Sequence, residues 1–167
     1  RLGTNADLRE IIDALHTAGI RVILDAVFNH TGRDFPAFRE LRSGGVDSPA
    51  RSWYAGIDFS RNNGYRDGFS YQTWGGHESL PRLNLAADEV RSHLFAAAEQ
   101  WIREFNIDGL RLDAADCIDR GFLSELAARC KSLKPDFWLM GEVVHGDYSR
   151  WANTATLDSV TNYECYK

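Results

Sequence analysis

Apolar residues at helical spacing alternate along this chain with short runs that are almost wholly apolar. Residues 4–19 open with a capping pattern from Thr4 to Asp7 and then repeat apolar positions every three or four residues, which predicts an amphipathic helix. Residues 20–28 follow as an apolar run, typical of a strand buried on both faces of a parallel sheet. The apolar positions of the helix are Leu8, Ile11, Ile12 and Leu15.

The second half of the chain repeats this alternation. Asp88 is a candidate N-cap, and the stripe from Val90 to Phe105 predicts a helix before a strand at 107–114. Another helix runs to Leu133 and ends before Pro135, and residues 137–144 form the next strand. A short helix near 148–151 and a strand near 158–162 complete the pattern.

Periodicity disappears between residue 31 and about residue 85, where turn-forming residues separate many aromatic ones. A structureless loop of that length is improbable in a compact domain, so we expect an inserted subdomain. We therefore divide the chain into residues 1–30, an irregular insertion at 31–86 and residues 87–167. All three segments are expected to belong to one incomplete domain.

Helices that alternate with strands predict an α/β fold with a parallel sheet. A doubly wound fold would carry a glycine-rich phosphate loop after its first strand, and no strand here is followed by one. A (β/α)8 TIM barrel places its chemistry at the C-terminal ends of several strands, which is where the charged residues of this chain lie. The pattern therefore favours part of such a barrel, with four of its eight strands, interrupted by the insertion.

Composition narrows the function classes. The 167 residues are 44% apolar and 26% charged, with a net charge of −5 and no run of five like charges, which excludes a nucleic-acid or polybasic membrane surface. No segment is apolar enough to span a membrane. Three cysteines without paired spacing indicate neither a disulfide framework nor a zinc site. We expect a cytoplasmic protein that acts on a neutral molecule, although a leader lost before Arg1 would make it secreted.

Polar clusters follow three of the predicted strands and suggest hydrolytic chemistry. Arg111 and Asp113 are two residues apart on one strand and should point together into the barrel mouth. A guanidinium beside a carboxylate keeps that carboxylate ionised, as a nucleophile requires. Glu142 ends the next strand, and we expect its pKa to be raised by the nearby negative charge and by desolvation, so that it can donate a proton. Such a pair is the arrangement for retaining glycoside cleavage.

These segments also resemble a known family. DAVFNH at 25–30, GLRLD at 109–113 and GEV at 141–143 resemble the first three signature regions of the α-amylase family of glycoside hydrolases, in the family order. The resemblance implies that the chain covers about strands 3 to 6 of a catalytic TIM barrel, with barrel helix 2 and strand 3 at 1–30, a domain B-like insertion at 31–86, and barrel helix 3 through strand 6 at 87–167. The resemblance implies that Asp113 is the nucleophile and Glu142 the acid/base, with Arg111 positioning Asp113. It further implies that His30 donates a hydrogen bond to the sugar and that Asp25 supports the site through Arg111.

Further motifs place the chain within that family. LPRLN at 80–84 and TNYE at 161–164 are similar to segments of neopullulanases, cyclomaltodextrinases and maltogenic amylases. This likeness implies an oligo- or polysaccharide α-glucan substrate such as maltodextrin, cyclodextrin or pullulan. His145, just past Glu142, is a candidate substrate contact. The segment after Asp113 departs from many α-amylases, because Asp116 and Cys117 stand where they carry Lys-His.

No cofactor is expected to be required, and calcium is the one metal to consider. Asn29 is similar to a calcium ligand of many α-amylases, and calcium would need several more oxygen donors from the insertion. Candidate donors are Asp47, Asp58, Asp67 and Asn84. The alternative is that Asn29 has a structural hydrogen-bonding role.

Other functions stay open at this point. An α-glucan transglycosylase or isomerase would use the same carboxylates with another acceptor, and a non-catalytic scaffold or binding protein would keep only the fold. Because the chain starts and stops inside its pattern, we expect it to be a fragment that is inactive alone. The third carboxylate of the family is then expected beyond Lys167, and a homo-oligomer of the full-length protein is left open.

Overall fold

The computed structural model describes residues 3–166, which divide into two compact units. The first unit comprises residues 3–26 and 93–166, and the second comprises Val27–Ser92. The helices are α1 (Asn5–Thr17), α2 (Pro36–Gly44), α3 (Asp88–Phe105) and α4 (Arg120–Leu133). The strands are β1 (Ile23–Ala26), β2 (Gly109–Leu112), β3 (Trp138–Gly141) and β4 (Ser159–Val160). Five short 3-10 turns lie at Gly45–Asp47, Pro49–Trp53, Ala115–Cys117, Tyr148–Arg150 and Tyr163–Tyr166.

The strands form a parallel sheet in the order β1-β2-β3-β4, with helices along the chain between β1 and β2 and between β2 and β3. This confirms the predicted α/β class and the alternation from which it was inferred. The helix at the start of the chain is also confirmed, since Thr4 and Asp7 form the complete capping box. All four strands are shorter than the apolar runs that predicted them, because the ladder bonds cover only the middle of each run.

Burial of β1 differs from the prediction. Ile23 and Leu24 are only half-buried and Asp25 is exposed, whereas both faces of this strand were expected to be covered. Among residues 3–166, β1 pairs with β2 alone, so it is an edge strand of the described sheet. The central strands β2 and β3 carry the core residues Leu110, Leu112 and Leu139, which have no exposed surface.

Close packing between β2 and β3 depends on Gly109. A Cβ atom at this position would lie 2.3 Å from the carbonyl oxygen of Trp138 and 2.5 Å from the Ile23 side chain. Helix α4 has four fully buried side chains, and its Phe122 stacks on Phe95 of α3 with ring centroids 4.8 Å apart. The sheet and both helices thus share one apolar core.

The second unit has an aromatic core and one helix that the sequence did not predict. Helix α2 begins with Pro36 in its first turn, where the missing N–H of proline costs nothing. Phe38 of this helix is fully buried and meets three other rings edge-on, with centroids 4.9 to 6.2 Å apart. Those rings belong to Tyr54, Phe69 and Tyr71. Four aromatic residues of the insertion therefore pack together, and three of them are buried.

No helix among the described residues is both long and apolar enough to cross a lipid bilayer.

A polar network fastens the start of β2 to its surroundings. Asp108 accepts hydrogen bonds from Val22 N and from Lys134 Nζ, both at 2.7 Å, and lies 2.7 Å from His16 Nε2. Burial alone would raise the pKa of Asp108, but the Lys134 ammonium, the Val22 N–H and His16 together lower that pKa to about 2. Since the folded pKa lies below the unfolded one, this carboxylate stabilises the fold above pH 4 and loses its effect as the pH falls toward 2.

We predict that Asp108→Asn lowers the free energy of unfolding by roughly 2 kcal/mol at pH 7, because the shift of nearly two pKa units is lost. The loss should shrink to about half near pH 3. Urea unfolding of the intact protein that contains this chain measures both values. Asp136→Asn is the control, because Asp136 is 64% exposed and its pairing with Arg21 is loose at 3.5 Å. Equal effects of the two substitutions would contradict the prediction.

Candidate active site

Strand register brings three acidic residues to one end of the sheet. Asp25 of β1 is the Cα partner of Arg111 in β2, and Leu112 is the partner of Gly141 in β3. The same ladder continues by one residue, since Glu142 N donates to Leu112 O at 2.8 Å. Residues that follow these partners in the chain therefore become neighbours, although they lie far apart in sequence. The segments that meet contain the candidate site residues Asp25, Arg111, Asp113 and Glu142 that the sequence analysis identified.

Arg111 is the centre of the cluster. Its Nη1 lies 2.7 Å from Asp25 Oδ1 and 3.0 Å from Asp113 Oδ1, and its Nη2 lies 2.9 Å from Glu142 Oε2. The side chains of Arg111, Asp113 and Glu142 are each between 20% and 24% exposed, whereas that of Asp25 is 60% exposed. One guanidinium thus contacts three carboxylates, two of which are mostly buried but still reachable from solvent.

Unusual backbone geometry fixes the acidic side chains. Ala114 adopts a left-handed conformation with φ 46° and ψ 44°, which is strained for a residue with a side chain. This turn lets Ala114 N donate to Glu142 Oε2 at 3.3 Å, while Ala115 N donates to the Glu142 carbonyl at 2.9 Å. Gly141 is required just before Glu142, because a Cβ there would lie 2.4 Å from the Leu157 side chain.

Tyr163 is a member of the cluster that the sequence analysis missed. Its hydroxyl donates to Glu142 Oε1 at 3.0 Å, so both carboxylate oxygens of Glu142 are bonded. The motif at 161–164 contained this residue, but no pattern in the sequence says which carboxylate its hydroxyl will meet. Thr161 also acts here, since its Oγ1 accepts a hydrogen bond from Val143 N at 3.2 Å.

The expected direction of the Glu142 pKa was wrong. Burial does raise the pKa of Glu142, but the Ala114 N–H, the Tyr163 hydroxyl and the Arg111 charge outweigh burial and hold this pKa below its usual range. The prediction failed because it counted the neighbouring negative charge and not the three donors that the fold aims at Glu142.

His30 and His145 are the remaining candidate sugar contacts. His30 lies in the second unit, is 94% buried and stacks on Trp74 with centroids 5.2 Å apart. His145 is exposed on the loop after β3, where no side chain of the described cluster forms a hydrogen bond with it. Their contacts with a sugar stay predictions.

Asn29 gives mixed support to a calcium site. Its Oδ1 is buried and has no hydrogen-bond partner within the described residues, whereas its Nδ2 lies 3.3 Å from His30 Nδ1. Three of the four candidate donors of the insertion are engaged elsewhere: Asp67 binds Arg33, Asp58 caps Ser60, and Asn84 bonds to Ser52 and Ala86. The fourth, Asp47, is exposed. No group of three or more His, Cys, Asp or Glu side chains in the described part of the chain could hold a metal ion. These residues do not supply the six to eight oxygens that calcium takes.

Comparison with known proteins identifies the family of the chain. A family model described as the alpha amylase catalytic domain matches residues 1–167. The chain belongs to the α-amylase family. The resemblance inferred from the three signature segments is thereby confirmed.

Individual relatives point to one part of the α-amylase family. The chain is 38% identical to a cyclomaltodextrinase of Geobacillus thermopakistaniensis over 161 residues, which cover 96% of this chain and 27% of the relative. It is 37% identical to neopullulanase 2 of Thermoactinomyces vulgaris over 164 residues, with 98% and 27% covered. A debranching enzyme of Nostoc punctiforme superposes with a TM-score of 0.87 at 36% identity, covering 97% of this chain and 33% of that one. The chain spans about a quarter of the length of these curated relatives.

The hydrogen bond from Tyr163 has a measurable effect on Glu142. We predict that Tyr163→Phe raises the pKa of Glu142, because the lost hydroxyl stabilises the charged carboxylate. Carboxyl-selective NMR titration of the intact protein measures this pKa. Tyr148→Phe is the matched control, since the Tyr148 hydroxyl has no partner among the described residues. An unchanged or lower pKa in Tyr163→Phe would show that the bond does not act on the charged form.

Proposed function

We propose that the protein containing this α-amylase-family chain hydrolyses α-glucosidic bonds, mainly α-1,4, in maltodextrins, cyclodextrins or pullulan, with retention of configuration. The observation that carries the proposal is the contact of one guanidinium, that of Arg111, with both Asp113 and Glu142. The names of the similar proteins, cyclomaltodextrinase and neopullulanase, support the choice of glucans.

The first chemical step uses Asp113 as the nucleophile. Arg111 holds Asp113 Oδ1 at 3.0 Å, which fixes the position of the carboxylate. The other oxygen of Asp113 attacks the anomeric carbon while the bond to the leaving oxygen breaks. This forms a covalent glycosyl-enzyme ester at Asp113.

Glu142 transfers the protons in both steps. As an acid it protonates the leaving glycosidic oxygen, and as a base it then takes a proton from the water that cleaves the ester. The donors around Glu142 favour its charged form in the free protein. A bound sugar excludes water from a carboxyl that is 20% exposed, and this desolvation favours the protonated form that the first step needs.

The contact of both carboxylates with one guanidinium supports retention over inversion. An inverting pair stands about 6.5–9.5 Å apart so that a water molecule fits between carboxylate and sugar, whereas a retaining pair is about 5 Å apart. Asp113 and Glu142 contact different nitrogens of the Arg111 guanidinium, at 3.0 and 2.9 Å. This shared partner favours the shorter spacing of a retaining pair.

Substitution of either carboxylate tests the proposal. We predict that Asp113→Asn lowers kcat for maltotriose and β-cyclodextrin by at least about a thousandfold, and that Glu142→Gln lowers it by about a hundred- to ten-thousandfold. The measurement is hydrolysis by the full-length protein. Asp116→Asn is the control, because Asp116 is an exposed carboxylate three residues beyond the nucleophile. Azide should rescue Glu142→Ala with a product of retained configuration, because the covalent ester at Asp113 still forms.

Other outcomes would reassign the function. A parent protein that binds these glucans and cleaves none of them would be a scaffold or binding protein. Longer glucans formed from maltotriose, in place of maltose and glucose, would identify a transglycosylase. Retention of full activity in Asp113→Asn would remove the assigned nucleophile.

A further inference from the structure

The second unit exposes one large aromatic ring on a supported surface. Tyr65 is 53% exposed, and no other aromatic residue among the described part of Val27–Ser92 is a largely exposed apolar side chain. The guanidinium of Arg33 lies 3.8 Å from the ring centroid and covers one face. Arg33 is held in turn by two hydrogen bonds to Asp67, at 2.7 and 2.9 Å. The exposed surface of Tyr65 therefore consists of the ring edges and the face that points away from Arg33.

The backbone that carries Tyr65 is fixed by side chains. Asn63 Oδ1 accepts a hydrogen bond from Tyr65 N at 2.8 Å, and Asn63 Nδ2 donates to Phe69 O at 2.8 Å. The Glu78 carboxylate accepts the Gly64 N–H with both oxygens, at 2.8 and 3.0 Å. A ring presented in this way loses little conformational entropy when a ligand stacks on it.

Polar groups stand beside the ring in an open groove of about 510 Å³. Its wall opposite Tyr65 contains the exposed His77 and Ser79 and the half-buried Glu78. The size falls in the range of small-molecule sites, and the lining combines an apolar face with a few hydrogen-bonding groups. Residues of the groove are Gly64, Tyr65, Gly76, His77, Glu78 and Ser79.

The chemistry of the groove selects a neutral polyhydroxylated ligand. The Glu78 carboxylate disfavours an anion, and Arg33 already occupies the inner face of Tyr65, which weakens the attraction of the outer face for a second cation. A sugar ring offers an apolar face for the phenol and hydroxyl groups for the carboxylate and the imidazole.

We propose that this groove is a second glucan-binding site, in which a glucose unit stacks on Tyr65 and donates hydroxyl hydrogen bonds to Glu78. The inference rests on the proposed function for the class of ligand, whereas the groove belongs wholly to the second unit and uses none of the carboxylates at the strand ends. It serves to hold a long α-glucan chain on the protein.

Retardation in native gels that contain soluble starch tests the groove. The full-length protein with Asp113→Asn is used as the parent, so that starch is bound without being cleaved. We predict that adding Tyr65→Ala or Tyr65→Leu weakens the apparent affinity about three- to tenfold, and that Tyr65→Phe retains it. Tyr65→Leu keeps an apolar group over Arg33, so it decides the result if thermal melting shows that the alanine variant is less stable.

Matched controls separate this inference from the proposed function. Val46→Ala removes another exposed side chain of the same unit and should leave retardation unchanged. Three results would each overturn the proposal for the groove. The first is that Tyr65→Leu is retarded as strongly as the parent, and the second is that Tyr65→Phe binds as weakly as Tyr65→Leu. The third is that starch does not retard the parent. Failure of the protein with native Asp113 to hydrolyse maltotriose would instead overturn the proposed function, and the two results are read independently.

Discussion

The contact of one guanidinium with three carboxylates stabilises the C-terminal end of the parallel strands, where the candidate active site lies. Asp25, Asp113 and Glu142 would repel one another if only the strand register brought them together, since like charges at this spacing are unfavourable in a partly buried site. Arg111 offsets that repulsion with a fork of donors that binds all three. Replacing this planar group by a lysine would keep the charge but lose the geometry that orients two carboxylates at once.

Rigid backbone holds Arg111 and the three carboxylates in position. A left-handed alanine follows Asp113, and glycines at 109 and 141 allow neighbouring segments to approach more closely than a Cβ atom would permit. Strained or tightly packed positions of this kind persist only where the surrounding structure over-determines them. Here that support is the buried leucine layer of β2 and β3 beneath the site. Packing therefore positions the candidate site residues of this α-amylase family chain as much as charge does.

The second unit is stabilised by different interactions. It has little regular secondary structure, and its rings pack edge-on around Phe38 while the buried pair of Arg33 and Asp67 ties distant loop segments together. Breaking such a pair leaves an uncompensated buried charge, so it constrains the loop strongly even if its net contribution to stability is small. The same arginine supports the exposed ring of Tyr65, which links the core of the unit to its surface.

The sequence by itself determined the features that repeat locally. Helical periodicity located α1, α3 and α4, and a capping box located the first residue of α1, because these signals depend on neighbours within one or two turns. Asp113 and Glu142 could be singled out because carboxyl ends of parallel strands must share one edge. Helix α2 was missed since its apolar positions are few and flanked by turn residues.

Only the tertiary structure decided what each of these groups meets. The Glu142 pKa falls because Tyr163, Ala114 and Arg111 converge on it from three segments, and no local pattern encodes that convergence. The half-burial of β1 likewise follows from its place at the edge of the described sheet, not from its apolar composition. The sequence specifies the chemistry of each side chain. Strand register and packing between residues far apart in the chain determine burial, charge balance and proton affinity.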